Sequence, residues 1–368
     1  KIFFSLALLI GLLISCSGNK KESQTLEYKE PTATNLPGNR LAEIHCSGCH
    51  LFVKPELLPR SSWQNDILPS VVKKANIFPE RPLIARADWN KIVDYYLNNA
   101  PDTILPPKRA NKIKMGLKHF KIKESGFSQT PALTTMVKIL PENGGVVFAD
   151  SKRNINSLTF LDKDLEKDIV LGLKTAPIHF YEKYDTIYLT TAGKNIFPND
   201  VSDGALQKLF SKGTAGSYTS KEGIPNLQRP VNMAYGDLNN DGLEDVVACE
   251  YGNETGKLVW YENKGGDKYT MRTLDNRSGA ISAVIKDANG DGLQDIFVLM
   301  AQGDEGVFYY QNQGDGTFTT KRLLSFLPLN GSQYIELVDF NKDGLDDILY
   351  VCGDNADKTP ILKEYHCG

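Results

Sequence analysis

Neither charge is in excess in this sequence. Forty-two Lys and Arg stand against 45 Asp and Glu, a formal net charge of −3. That is too small to gather a polyanion by long-range attraction, so no nucleic acid is expected as a partner. The apolar run at residues 2–14 (IFFSLALLIGLLI) is too short to cross a bilayer as a stable helix. Tryptophan is scarce, occurring at 63, 89 and 260. No Ser-His-Asp set or carboxylate pair stands out among so many acidic residues, so no catalytic residue is assigned. His179 and His366 read as structural or surface side chains.

What is present is turn chemistry. The 31 glycines and other turn residues are spread through the C-terminal two-thirds rather than gathered in linkers, which predicts many short strands. At 368 residues the chain exceeds what one core usually serves, giving two domains or one large β domain. It starts at Lys1 and stops at Gly368 soon after an apparent strand, and reads as a fragment.

The first 15 residues fit the apolar core of an export signal. They end in Leu13-Ile14-Ser15 before Cys16, which resembles the lipobox of bacterial lipoproteins. The resemblance implies cleavage before Cys16, acylation there, and membrane attachment through the lipid. Ser17 in place of Asp implies sorting to the outer membrane. Residues 16–36 are polar and aperiodic, and predict a tether.

Cys46-Ser47-Gly48-Cys49-His50 is a haem c attachment pattern. Two thiols one helical turn apart meet the two vinyl groups, and the adjacent histidine ligates iron from the same side. A thioredoxin-like CxxC would need a βαβ context and a zinc site a second ligand pair, and neither is nearby. Residues 37–106 therefore read as a small all-α cytochrome c-like domain. Leu41 and Ile44 predict a helix leading into the motif. Trp89, Ile92, Val93 and Tyr96 predict a second amphipathic helix, with Asp88 as its cap and Pro101 beyond its end. No methionine lies between His50 and Trp89, where related haem domains carry the sixth iron ligand; Met115 and His119 are the nearest substitutes. Residues 107–126 form a basic linker, with Lys108, Arg109, Lys112, Lys114, Lys118, Lys121 and Lys123.

The C-terminal region repeats itself. Asp237, Asn239, Asp241, Gly242, Leu243 and Asp245 recur as Asp287, Asn289, Asp291, Gly292, Leu293 and Asp295, and again as Asp339, Asn341, Asp343, Gly344, Leu345 and Asp347. Oxygen side chains at positions one, three, five and nine, with the carbonyl of position seven, suit a hard cation such as Ca2+, and glycine at six permits the turn. An EF-hand would need Glu at position twelve, where Ala248, Val298 and Tyr350 stand. Each loop runs instead into a strand. Leu258-Val259-Trp260-Tyr261-Glu262-Asn263 is matched by Val307-Phe308-Tyr309-Tyr310-Gln311-Asn312, each followed by a Gly-rich turn. A repeat of about 50 residues made of short strands has the size of a propeller blade.

From about residue 227 the sequence resembles the FG-GAP or VCBS repeat family, which implies an integrin-α-like β-propeller with a structural Ca2+ on each loop. Residues 127–226 carry strand runs such as Gly145–Ala149 and Thr186–Thr190 without the motif, and fit two divergent blades. The fold class expected is mainly β: a propeller over 127–368 with an incomplete last blade, preceded by the helical domain. Cys249 and Cys352 read as buried strand residues, and Cys367 as a possible partner of Cys352.

The order lipobox, haem c domain and FG-GAP/VCBS repeats resembles that of Bacteroidetes-like envelope proteins. It implies electron transfer or redox sensing with a redox partner protein, coupled to a propeller that binds a protein or glycan. One alternative is an adhesion propeller with a non-functional haem domain. Another is a haem-coupled propeller dehydrogenase, but the quinone-dependent versions repeat tryptophan motifs through their blades, whereas Trp260 alone lies in this one.

Overall fold

The computed structural model describes residues 31–48, 50–74, 77–78, 82–103, 121, 123, 133–152, 155–197, 199–213, 217–252 and 254–353. Cys16, Cys49, Met115, His119, His366 and Cys367 lie outside them.

The N-terminal part is a short helical region: α1 (Gly38–Cys46), α2 (Arg60–Ser62), a π-helical turn (Trp63–Ile67), α3 (Leu68–Lys74) and α4 (Arg86–Asn99). Its small core joins Leu41 and Ala42 of α1 to Trp89, Ile92 and Tyr96 of α4, with Trp63 and Leu68 between. The two helices approach so closely that a Cβ on Gly38 would lie 2.1 Å from the Lys91 carbonyl oxygen. The helix expected from Leu41 and Ile44 is α1, whose buried stripe passes through Leu41 and Ala42 and leaves Ile44 55% exposed. One detail of the helical expectation is corrected. Asp88 does not cap its helix, which starts after Ala85. It is buried and accepts the Thr34 amide at 2.8 Å and the Lys91 ammonium at 2.9 Å. Burial alone would raise its carboxyl, but these donors outweigh it and hold it below the usual range.

The remainder is strand. Blade one is β1 (Thr134–Leu140), β2 (Gly145–Lys152), β3 (Ile155–Leu161) and β4 (Lys167–Leu173). Blade two is β5 (Pro177–Lys183), β6 (Thr186–Thr191), β7 (Gly204–Ser211) and β8 (Tyr218–Leu227). Blade three is β9 (Pro230–Gly236), β10 (Asp245–Glu250), β11 (Lys257–Asn263) and β12 (Tyr269–Asp275). Blade four is β13 (Ala280–Lys286), β14 (Asp295–Met300), β15 (Gly306–Asn312) and β16 (Phe318–Ser325). A two-stranded sheet of β17 (Ser332–Val338) and β18 (Asp347–Cys352) follows. Within each sheet the strands pair antiparallel in chain order, and the first strand of each blade touches the first strand of the next. This is the up-and-down stacking of a β-propeller.

Alternation along the second strand binds the blades together. In β10, Val246 and Ala248 pack toward blade two with Leu206 and Leu227, while Val247 and Cys249 pack toward blade four with Ile296 and Val298. Successive side chains point to opposite faces of a sheet, so a strand between two blades must be apolar on both. All six residues of β10 and all six of β14 are accordingly buried. Each such aliphatic side chain contributes roughly 1.5–3 kcal/mol.

Candidate cation-binding loops

The three repeated loops join the first strand of a blade to the second: β9 to β10, β13 to β14, and β17 to β18. They share one backbone path. The sixth-position glycines have φ of +84°, +86° and +87°, a left-handed conformation that L side chains rarely adopt. The fourth positions, Asn240, Gly290 and Lys342, are left-handed too, at +55°, +76° and +64°.

That path curls the side-chain oxygens inward. Both Asp237 oxygens accept loop amides, from Asp241 at 3.1 Å and Gly242 at 2.8 Å. Asn239 Oδ1 accepts the Asp241 amide and Asp241 Oδ1 the Leu243 amide. The pattern recurs around Asp287, Asn289 and Asp291, and around Asp339, Asn341 and Asp343. An oxygen accepting one N–H retains a lone pair for another partner.

The ninth aspartates act as clamps. Asp245 and Asp295 are fully buried. Asp245 accepts the Leu238 amide at 3.1 Å and the Asn263 amide at 2.7 Å. Asp295 accepts the Ala288 and Asn312 amides and the Tyr309 hydroxyl. Burial pushes the Asp245 carboxyl above its usual range in spite of these bonds. Asp347 is less enclosed and accepts the Phe340 amide at 3.1 Å.

Among the described residues none of the nine aspartates at positions one, five and nine is in an ion pair. The eighth positions contrast with them. Glu244 pairs with Lys183 of blade two at 2.9 Å, and Asp346 pairs with Lys286 of blade four. The outward acids therefore tie the first and third loops to the preceding blade, while the inward ones have no cationic side chain paired with them among the described residues. No three Asp, Glu, His or Cys side chains converge as a metal-holding group among the described residues. A cation here would need the asparagine and main-chain oxygens as well, and would draw the carboxylates away from the loop amides.

Two asparagines complete the loops. Asn263 Nδ2 donates to the Glu244 carbonyl and its Oδ1 accepts the Gly265 amide. Asn312 does the same with Gln294 and Gly314, and its Nδ2 also donates to the Leu238 carbonyl of the preceding loop at 2.8 Å. Neither was assigned a role from sequence, although both close the matched segments ending Glu262-Asn263 and Gln311-Asn312. Asn239 is further oriented by Glu262, which accepts its Nδ2 at 3.0 Å.

In the helical region, Cys46 is the last residue of α1 and half-buried, and it packs against the helical core. His50 is also half-buried, with Nδ1 2.8 Å from the Leu51 carbonyl, so that Nε2 is the nitrogen left for a ligand. Their motif partner Cys49 and the candidate sixth ligands Met115 and His119 are outside the described residues.

Residues 237–298 and 287–350 match the family profile of the FG-GAP-like repeat. With the stacked four-stranded sheets, this defines a β-propeller carrying FG-GAP repeats. Solved structures similar to this chain include the Dos1 propeller, at 8% identity and a TM-score of 0.40 over 56% of this chain and 50% of that one. They also include an endo-arabinase from Bacteroides thetaiotaomicron, at 11% and 0.37 over 61% of this chain and 94% of that one. A third is the NanB sialidase from Streptococcus pneumoniae, at 15% and 0.29 over 45% and 27%. This chain thus spans half of the Dos1 propeller and about a quarter of the sialidase. Likeness at this level says nothing of activity. No curated protein matches the chain.

Proposed function

We propose that this chain is an exported, envelope-bound binding protein whose propeller is stiffened by Ca2+ on its three nine-residue loops. The observation carrying the reading is the set of loop aspartates left without a cationic partner while the neighbouring eighth-position acids are paired. Like charges held together without compensation repel, and a hard dication with oxygen donors relieves that repulsion. The donors in the first loop are the side chains of Asp237, Asn239 and Asp241 and the Leu243 carbonyl, with the Asp245 charge behind them. In the other two they are Asp287, Asn289, Asp291, Leu293 and Asp295, and Asp339, Asn341, Asp343, Leu345 and Asp347. The blades then present a fixed surface to a protein or glycan ligand.

The test is thermal unfolding of the full chain in millimolar CaCl2 and in EGTA. At about one hundred times the dissociation constant, each occupied loop adds roughly 2.7 kcal/mol. The midpoint should rise with calcium, and the rise should vanish when Asp241, Asp291 and Asp343 are all changed to Asn. An unchanged wild-type midpoint overturns the reading.

The helical region carries the second part of the proposal, a covalent haem c that Cys46 and Cys49 would hold and whose iron His50 would ligate. Its support is the half-buried thiol at the end of α1 and an imidazole with Nδ1 already engaged. When bound, the group would supply one-electron transfer or small-ligand binding, with Met115 or His119 available to complete the iron's coordination. The chain's own part would be to present the thiols from the end of α1 and fix the imidazole's orientation. An absorption spectrum of protein made in a haem c-attaching host decides this. A sharp six-coordinate reduced spectrum supports electron transfer to a redox partner, a carbon monoxide-sensitive five-coordinate one supports sensing, and no haem leaves the binding propeller. Lipid attachment through Cys16, at the outer membrane, is the proposed anchor, checked by the mass of the mature N-terminal peptide.

A further inference from the structure

Between blades two and three lies a cleft of about 470 Å3 that none of the loops uses. Its volume is within the roughly 300–1,000 Å3 typical of small-ligand sites. Glu250 and Tyr261, 1% and 8% exposed, form its inner end. Lys257, Tyr269 and Met271 of blade three and Asn226 of blade two form its rim.

The polar groups here are held but not used up. Glu250 accepts the Tyr261 hydroxyl at 2.7 Å on one oxygen and the Gln228 amide at 3.0 Å on the other, so each oxygen keeps capacity for a further donor. Lys257 stands opposite Glu250 in the β10–β11 register. Its ammonium nevertheless makes no ion pair among the described residues and lies 3.9 Å from the Met271 sulfur. A buried acceptor and a neighbouring donor that do not satisfy one another are both available to a ligand. Asp267, also at the rim, is already held by Lys208 and Lys221 at 2.5 Å each. The chain bends beside the cleft: Asn226, near the end of β8, and Arg229 just beyond it have φ of +59° and +43°. Left-handed backbone of this kind persists where the surroundings fix it, and it gathers at ligand sites.

These features select the ligand's chemistry. A carboxylate beside an ammonium concentrates neither anions nor cations, which favours an uncharged compound. Several fixed donors and acceptors favour one with many hydroxyls. The Tyr269 ring and the Met271 side chain offer an apolar platform with a polar tip. We propose that this cleft binds a neutral pyranose sugar, with its C–H face on Tyr269 and Met271 and its hydroxyls shared between Glu250 and Lys257. This rests on the reading of the propeller as a binding domain, and gives that domain a site.

The experiment is calorimetric titration of the full chain, in calcium, with glucose, galactose, N-acetylglucosamine, cellobiose and lactose. Saturable binding of at least one sugar is expected. Lys257→Ala, which removes one hydrogen bond, should weaken it about fivefold. Tyr269→Ala should weaken it about tenfold. The half-buried Lys257 belongs to none of the hydrophobic core clusters, so its variant serves as the control against misfolding in the Tyr269 variant. Failure of all five sugars to bind, or binding indifferent to both changes, overturns the proposal. Calcium-dependent stabilisation without sugar binding would remove this site and leave the stiffened propeller standing, whereas sugar binding without a calcium effect would do the reverse.

Discussion

Blades one and two connect their first two strands by tight turns, Pro141–Gly144 and Tyr184-Asp185, where blades three and four use the nine-residue acidic loops. All four are four-stranded antiparallel sheets with apolar inter-blade cores. The loop is thus not needed to make a blade. What it adds is a buried carboxylate and an asparagine that organise the turn from inside, so blades three and four depend on polar groups at a place where blades one and two depend on turn geometry.

The sharpest test of this difference is Asp295→Ala. It strands two amides and a tyrosine hydroxyl in a buried site, and should destabilise by roughly 3–5 kcal/mol even in EGTA. Asn143→Ala in the blade-one turn, where one amide is accepted, should lose about 1 kcal/mol. Equal losses in urea unfolding would erase the distinction between the blades.

Blade two has its own sensitivity, to acid. Burial and the nearby Lys138 ammonium push the His179 imidazole down to about 4. The folded state therefore excludes a proton that the unfolded chain binds below about pH 6.5. Stability contributed by the neutral ring is present above that value and is lost as the pH falls toward 4, by about 3 kcal/mol. His179→Phe keeps a ring against Tyr235 and should flatten the profile of unfolding midpoint against pH in this window. A profile as steep as wild type would assign the sensitivity elsewhere.

The asparagine pair grades the effect within the loops. Asn312→Ala loses three hydrogen bonds, one of them to blade three, and should cost about 1 kcal/mol more than Asn263→Ala, which loses two. Hydrogen exchange of the Leu238 and Gln294 segments would report it. The smallest changes are gains. Tyr184 and Lys342 are non-glycine residues with φ of +52° and +64°. Replacing either by Gly should raise stability by about 1 kcal/mol at most, read from the thermal midpoint.

The repeats were legible in the sequence because their residues are consecutive. Asp, Asn, Asp and Gly at fixed spacing define a turn without reference to anything distant, and the apolar run that follows announces a strand buried on both faces. Blades one and two showed only as strand runs, since tight turns carry no comparable signature. The clamp made by Asn312 was invisible because Leu238, its second acceptor, is 74 residues away. Asp88 misled for a similar reason. An acid in the first turn of a helix reads as a cap, but its carboxylate is spent on Thr34, 54 residues back in the chain. The sugar cleft, assembled from the end of one blade and the middle of the next, has no contiguous sequence to announce it.

Asn312 also turns neighbouring loops into correspondents. Its single amide group donates to the second residue of one loop and the eighth of the next, so a ligand that moved the Leu238 carbonyl would strain a bond shared with the second loop. The influence is mutual and equal in both directions, since linkage is reciprocal. Occupancy of the first two loops would then be one linked event rather than two separate ones.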